Sequence, residues 1–218
     1  MTRVTFEPDL CGQTNMARDR MLLQSGKGAR VYTWAEPWVT LGCFQRVSEA
    51  LRLDCSVSWS SRPTGGRAVL HGHDVTLGLA LPRRDLLGVR RIYPMVVGVI
   101  VDALRLCGAD AHLGRDLVGE STSVKTADCF AAVSPNDIVN GLGQKVCGCA
   151  LRLTEASVLV QASIPTSPPR VAPALVYRHP AAVTTITVEA ADFALALNEV
   201  LDKKNWELGN ASLPVLSS

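Results

Sequence analysis

Apolar and polar residues alternate most clearly in the first half of the chain. Leucine or valine stands at every second position from Val75 to Leu81, and a shorter apolar run precedes them. A period of two is typical of a strand with one buried face, and a glycine between two such runs is typical of a tight turn. We therefore predict a hairpin over 67–81 that turns at Gly72 and His73. One face should lie in the core, and the other should be available for chemistry.

Other segments carry helix or strand signals. A cap at Thr14 or Asn15 predicts an amphipathic helix over 15–25, and Pro94 suits the first turn of an apolar helix that ends near Gly108. The last helix is predicted over 190–205. Further strands are predicted at 29–34, 38–42, 138–139, 144–153, 158–164 and 183–188.

Proline is concentrated in one window near the end of this pattern. Five of the twelve prolines lie within 165–180, which favours an extended crossover on the surface. The order of elements predicts an α/β (α+β) chain with a mixed, largely antiparallel sheet covered by helices. A length of 218 residues favours one catalytic-size domain over 1–218, with no accessory domain at the C-terminus.

Composition narrows the partners and the compartment. The formal net charge is +2, so we expect no general attraction to nucleic acid or to an anionic membrane. The longest apolar run has ten residues, from Ile92 to Val101, whereas a membrane-spanning helix needs about 20. Acidic residues interrupt the start of the chain where a signal peptide would be apolar. We therefore expect a cytoplasmic protein, and a monomer, because no heptad or exposed apolar seam is visible.

Seven cysteines form an odd set without a regular spacing. Cytosolic thiols are normally reduced, so we expect no disulfide framework. The pair Cys147 and Cys149 resembles half of a metal site, but no second Cys or His pair stands at a suitable spacing. We interpret both as small hydrophobic residues on a strand, and we expect no metal.

Three stretches combine glycines with charged or reactive side chains. The first runs over 62–71, Arg-Pro-Thr-Gly-Gly-Arg-Ala-Val-Leu-His, where adjacent glycines let backbone N–H groups approach an anion or an acyl chain. The second, 137–148, contains a single lysine, Lys145, in an apolar strand between glycines. The third is Asp128-Cys129-Phe130. A strand lysine of this kind can hold a carbonyl or phosphate oxygen, although a solvated lysine is the common alternative.

Taken in order, these stretches resemble the biotin/lipoate ligase-like family, which includes lipoate-protein ligases and cysteine-dependent octanoyltransferases. The resemblance covers roughly 14–164. Five matches carry it. They are an opening Asn-Met-Ala-x-Asp at 15–19, a strand pair with Trp34-x-x-Pro37 and Leu41-Gly42-x-x-Gln45, the stretch 62–71, Asn136-Asp137-Ile138, and Gly143-Gln144-Lys145-Val146-x-Gly148. Five ordered matches make coincidence improbable. The fold that the resemblance implies is a mixed sheet with helices, which agrees with the pattern above.

The resemblance implies two alternative reactions. Arg67 follows the glycine pair where lipoate ligases usually have a third glycine, and Cys129 stands where the octanoyltransferases carry their nucleophile. The first reading is therefore an octanoyl or lipoyl transferase that forms a thioester on Cys129, with Lys145 stabilising the carbonyl oxygen. It needs no cofactor. The second is an ATP-dependent lipoate-protein ligase acting through lipoyl-AMP, with ATP and Mg²⁺ as cofactors.

The resemblance also implies the binding residues and the partners. The substrate-binding residues would be Arg62, Thr64, Gly65, Gly66, Arg67, His71, Asp137 and Gly148. The donor would be an acyl-carrier or lipoyl-carrier protein, and the acceptor a lysine of a lipoyl-domain or glycine-cleavage H-type protein. For Cys129 a buried structural thiol is the alternative, and for His71 a polar residue that shapes the pocket.

The chain departs from the family pattern at three places. Ser61 replaces a frequent arginine, 149–151 reads Cys-Ala-Leu instead of Ser-Ala-Gln, and 160–162 reads Val-Gln-Ala instead of Gln-His-Gly. These changes leave a third reading open, a non-catalytic module that binds an acyl group or a carrier protein. A biotin ligase is disfavoured, because the Gly-Arg-Gly-Arg type of loop is absent.

Overall fold

A seven-stranded sheet forms the frame of the protein. The computed structural model describes residues 4–83, 89–118 and 126–204. The strands of the large sheet are β1 (Thr5–Leu10), β2 (Gly28–Trp34), β6 (Asp74–Pro82), β7 (His112–Leu113), β8 (Ile138–Val139), β9 (Lys145–Leu153) and β10 (Ser157–Pro165). They lie in the order β1-β2-β6-β10-β9-β8-β7. Within the described residues β1 and β2 are parallel and the other neighbours antiparallel, which confirms the predicted sheet.

A second sheet holds β3 (Trp38–Leu41), β4 (Trp59–Ser61) and β5 (Val69–His71). The predicted hairpin over 67–81 is wrong, because β5 pairs with β3 whereas β6 pairs with β2 and β10. Gly72, with φ at +106°, turns the chain from one sheet into the other. Both edges of β6 are already hydrogen-bonded, so none remains for β5. The residues at Gly72 determine the turn, whereas the pairing of β5 depends on strands elsewhere in the chain.

Three long helices cover the large sheet. They are α1 (Gly12–Ser25), α3 (Val89–Leu106) and α5 (Ala190–Lys203), and the one-turn helices are α2 (Val47–Ala50) and α4 (Gly114–Leu117). Helix α1 starts three residues before the prediction. Pro94 is the sixth residue of α3 rather than part of its first turn, which removes a single hydrogen bond near the helix start. Residue 205, the predicted end of the last helix, lies outside the described residues.

The two faces of the sheet carry different residues. Val31 and Leu77 lie in the main core with α3 and α5, whereas Arg30, Tyr32 and Thr76 are buried on the opposite face, towards α1. The alternation predicted between Val75 and Leu81 is confirmed, since its valine and leucines all belong to the main core. The face towards α1 is polar and buried. None of the described helices is both long and apolar enough to cross a membrane.

The segment after β10 is irregular. It contains one short 3-10 helix, Pro173–Leu175, and buries Val176 and Tyr177 in a second core under β3 and β5. The predicted strand over 183–188 is wrong. Its β-branched residues favour a strand, but both edges of β10 are occupied, and the backbone bond from Ile186 N–H to Pro165 O is what ties the segment to the sheet.

Candidate active site

Cys129 begins a 3-10 turn between the two sheets. The turn, Cys129–Ala131, is capped by Asp128, whose carboxylate accepts a hydrogen bond from Phe130 N–H at 2.9 Å. Cys129 N–H donates to Ala68 O at 2.9 Å, and Asp128 accepts a second bond from Ala181 N–H. The thiol is half-buried and free. Backbone bonds therefore hold the nucleophile candidate against the loop that follows Gly66.

Lys145 lies beside this thiol. Its Nζ is 3.5 Å from Cys129 Sγ and donates to Cys129 O at 2.9 Å. On the other side Nζ forms a buried ion pair with Asp137 Oδ1 at 3.0 Å. Burial lowers the pKa of Lys145, but the charges of Cys129 and Asp137 outweigh burial and raise this pKa above its ordinary value. The amine is therefore a fixed cation at neutral pH.

Gly148 makes room for the thiol on β9. A Cβ atom at this position would lie 3.0 Å from Cys129 Sγ and 3.5 Å from Lys145 Cε. The 3.0 Å approach to Sγ is tighter than nine in ten real Cβ contacts, and the hydrogen bonds of Lys145 Nζ to Cys129 hold the two side chains together. The glycine therefore brings the strand backbone directly against the reactive atoms.

Arg62 braces the loop of residues 62–67, the glycine loop, from its inner side. Its guanidinium donates to Gly65 O at 2.5 Å and to Arg67 O at 2.7 Å, and a further nitrogen donates to Thr40 O. Burial lowers the pKa of this arginine, although a guanidinium stays charged in proteins. In this structure Arg62 therefore shapes the loop. Gly66, with φ at +87°, closes the turn around it.

His71 is part of a buried polar network. Its Nδ1 is 2.7 Å from Asp74 Oδ2, its Nε2 is 2.9 Å from Thr40 Oγ1, and the ring stacks on Trp34 at 4.0 Å. Ser163 also donates to Asp74 Oδ2, at 2.6 Å. This arrangement agrees with the reading of His71 as a residue that shapes the pocket. Sequence patterns did not point to Asp74 and Ser163, because these residues lie on two different strands, β6 and β10.

A second polar network links the glycine loop to α1. Thr64 Oγ1 donates to Gln161 Oε1 at 2.7 Å, and Gln161 Nε2 donates to Asp19 Oδ2. Asp19 also pairs with Arg30 at 2.7 Å and accepts from Tyr32 OH. The unusual Gln161 thus completes a buried connection. Sequence reasoning noted this residue as a departure from the family but missed its partners, which are up to 142 positions away.

A narrow cavity of about 40 Å³, the Cys129 cavity, lies between these networks. Five of the predicted site residues line it: Arg62, Gly66, His71, Cys129 and Gly148. The other predicted site residues lie behind or beside this lining: Thr64, Gly65, Arg67, Asp137 and Lys145. Asp137 lies behind Lys145 and accepts from Ser134 N–H at 2.8 Å, so here it positions the amine. Burial raises the pKa of Asp128, and the hydrogen bonds from Ala181 and Phe130 and the charges of Lys145 and Arg67 together only partly offset it.

Cys149 also lines the Cys129 cavity, whereas its neighbour Cys147 is fully buried on β9. Their sulfur atoms are 3.7 Å apart, and all seven cysteines of the chain are free thiols. The interpretation as a small buried residue holds for Cys147, but Cys149 has a partly open side chain. In the described ranges no cluster of three His, Cys, Asp or Glu side chains could hold a metal ion.

Known sequences resemble the chain over most of this structure. A family model described as the lipoyl protein ligase A/B catalytic domain matches residues 12–184. The octanoyltransferase LipM of Moorella thermoacetica is 33% identical over 165 residues, which are 69% of this chain and 60% of that protein. The octanoyltransferase LipM of Carboxydothermus hydrogenoformans is 34% identical over 152 residues, 64% of this chain and 55% of that protein. The chain thus spans somewhat more than half the length of these relatives.

Solved structures share the fold. A lipoate protein ligase from T. acidophilum with bound lipoic acid superposes with a TM-score of 0.74 at 20% identity, covering 94% of this chain and 86% of that one. A lipoate-protein ligase A bound with ATP gives 0.71 at 20% identity over the same shares. At this identity the likeness concerns the fold. Together with the family model, which matches well over half of the residues, these findings show that the chain belongs to the lipoyl protein ligase A/B catalytic domain family.

Proposed function

We propose that this chain transfers an octanoyl or lipoyl group from a carrier-protein thioester to a lysine of a lipoyl-domain or H-type protein, through a thioester on Cys129. One observation carries the proposal. Cys129 lines a narrow cavity, and the cationic Nζ of Lys145 lies 3.5 Å from its Sγ. The names of the relatives, octanoyltransferases, support the same reaction.

The first half of the reaction forms the acyl-enzyme. Cys129 Sγ attacks the carbonyl carbon of the donor thioester, the new carbon–sulfur bond forms, and the carrier thiol leaves with the proton that Cys129 lost. The charge of Lys145 stabilises the negative oxygen of the tetrahedral intermediate. Because its pKa is raised, Lys145 acts by its charge and not as a base.

The second half returns the thiol. The neutral amine of the acceptor lysine attacks the thioester carbon, the amide bond forms, and the bond from this carbon to Cys129 Sγ breaks. Cys129 leaves as a thiolate beside the cation of Lys145, and the proton that the amine loses returns it to the thiol. A thiolate is a good leaving group, so no separate activation of the acyl group is needed. The thioester carbonyl would lie at the Cys129 cavity, against Gly148 and the loop that Arg62 braces. Gly148 leaves space at the thiol for the carbonyl to approach.

The test is the intact mass of the protein after incubation with octanoyl-carrier protein, or with octanoate or lipoate plus ATP and Mg²⁺. We expect a hydroxylamine-labile adduct from the carrier thioester, absent in Cys129→Ser. Cys149→Ser is the matched control, because Cys149 lines the same cavity, and this variant should keep the adduct. An adduct or product that requires ATP and free acid would favour the ligase. Binding without product under either condition would favour the non-catalytic module.

A further inference from the structure

A larger pocket opens beside the segment that carries Cys129. Its volume is about 430 Å³, roughly ten times that of the Cys129 cavity. The walls come from residues 44–50 and 177–179, with Thr126 and Ala127 between them. Ala127 O accepts from Ala68 N–H, and Ala68 O accepts from Cys129 N–H, at 2.8 and 2.9 Å. We call this space the Arg178 pocket, and its wall is two residues from the thiol.

The glycine loop separates the two spaces. Phe44, which is 85% exposed and lines the Arg178 pocket, lies against Gly65, where a Cβ atom would be 3.6 Å from its ring. The next residue, Gly66, lines the Cys129 cavity. A ligand that occupies the Arg178 pocket can therefore reach the thiol by passing along one short loop.

The charge of the Arg178 pocket suits an anion. Arg46, Arg178 and His179 are exposed along its lining, against one carboxylate, Glu49. Arg46 is 3.8 Å from Glu49, and both side chains are mostly in solvent. Arg178 has no hydrogen-bond or ion-pair partner within residues 4–83, 89–118 and 126–204. An unpaired guanidinium in a concave site favours a phosphate oxygen and disfavours the ammonium group of an acceptor lysine.

Tyr177 supplies a second sign of an incomplete site. It is part of the lining, and its hydroxyl is buried without a hydrogen-bond partner in the described part of the chain. Burial raises the pKa of this hydroxyl, and the charges of Asp128 and Cys129 raise it further. The group is therefore a neutral donor close to the Cys129 segment. Buried polar groups in native proteins are normally satisfied, so a polar ligand or an ordered water would complete it.

We propose that the Arg178 pocket binds the phosphodiester end of the pantetheine arm that carries the acyl group, with Arg178 and Arg46 as its cations. The arm would then pass the glycine loop and present its thioester to Cys129. This inference rests on the proposed function, because it names the donor as a phosphorylated carrier arm. The compact cationic pocket near the thiol matches the one fixed charge that such an arm possesses.

Calorimetric titration tests the pocket without any turnover, with 4′-phosphopantetheine and unphosphorylated pantetheine as the two probes. We expect the phosphorylated probe to bind about tenfold more tightly to the native protein. In the variant Arg46→Gln with Arg178→Gln this ratio should fall close to one. Lys27→Gln removes an exposed cation in the turn after α1 and should keep the ratio. Unfolding curves of all three proteins control for lost structure.

The outcomes separate this inference from the proposed function. Equal affinity of the two probes, or an affinity ratio that is unchanged in the double variant, would refute phosphate binding by the Arg178 pocket. An adduct on Cys129 would still support the acyl transfer in that case. If the affinity ratio falls close to one in the double variant, phosphate binding by the Arg178 pocket is supported. If the native protein then forms no adduct on Cys129, only the proposed acyl transfer is refuted. With octanoyl donors, the preference for the phosphorylated form should likewise decrease in Arg178→Gln.

Discussion

The buried pair of Lys145 and Asp137 allows a quantitative test of the site. Their side chains are 6% and 9% exposed, and Nζ lies 3.0 Å from Oδ1. Lys145→Met removes the cation and leaves the carboxylate of Asp137 buried, where among the contacts described above it still accepts a hydrogen bond from the backbone N–H of Ser134. Breaking a buried ion pair on one side costs about 3–5 kcal/mol of the free energy of unfolding. We expect a loss of that size.

The double variant Lys145→Met with Asp137→Asn tests whether the unpaired charge of Asp137 causes this loss of stability. An amide at position 137 can still accept from Ser134 N–H and carries no charge, so the double variant should regain about half of the loss. The assay is urea unfolding at neutral pH, which does not depend on activity. Lys203→Met is the control, because its pair with Glu199 is 66% and 53% exposed and should be worth no more than about 0.5 kcal/mol.

Two results would refute this reasoning. A loss below about 1 kcal/mol in Lys145→Met would mean that the pair is far better solvated than its burial indicates. A double variant no more stable than the single one would mean that lost packing of the lysine, and not the stranded charge, dominates the cost. Both variants should fail to form the acyl-enzyme, since each lacks the cation beside Cys129.

The other predictions concern a glycine and a buried acid. Gly148→Ala should slow the acylation of Cys129 at least tenfold in a mass-resolved time course. Gly98→Ala is the control, because a Cβ there meets no atom within 4 Å, and it should keep the rate and add about 0.5–1 kcal/mol of stability. Equal rates in the two variants would contradict the steric argument. Burial opposes ionisation of Asp74, but the charge and hydrogen bond of His71 outweigh it and hold the pKa of Asp74 below its ordinary 3.8. The stability that Asp74 contributes is therefore present above pH 4 and decreases as the pH falls through the folded pKa. The cost of Asp74→Asn, measured by urea unfolding, should be smaller at pH 3 than at pH 7. A cost independent of pH would show that folding does not lower the pKa of Asp74.

Local signals in the sequence predicted most of the elements. The alternation between Val75 and Leu81 reports a strand because side chains on successive residues point to opposite faces, whatever lies beyond them. Gly72 marks the turn for an equally local reason, its positive φ. The same signals could not say that β5 would join another sheet. The β-branched run over 183–188 failed as a strand for a related reason, since neither edge of β10 was free.

In the candidate site, too, local patterns predicted some features and only the tertiary structure decided the others. The order of motifs, with Cys129 sixteen residues before Lys145, indicated the family and named five of the residues that line the Cys129 cavity. Tertiary structure decided that Asp137 stands behind Lys145, that Gln161 joins Thr64 to Asp19, and that residues 44–50 meet 177–179 to form a cationic pocket. Asp137 and Lys145 are only eight positions apart, but the other two contacts join positions many tens of residues apart. They depend on how sheets and helices pack, which is a property of the whole chain and leaves no local pattern in the sequence.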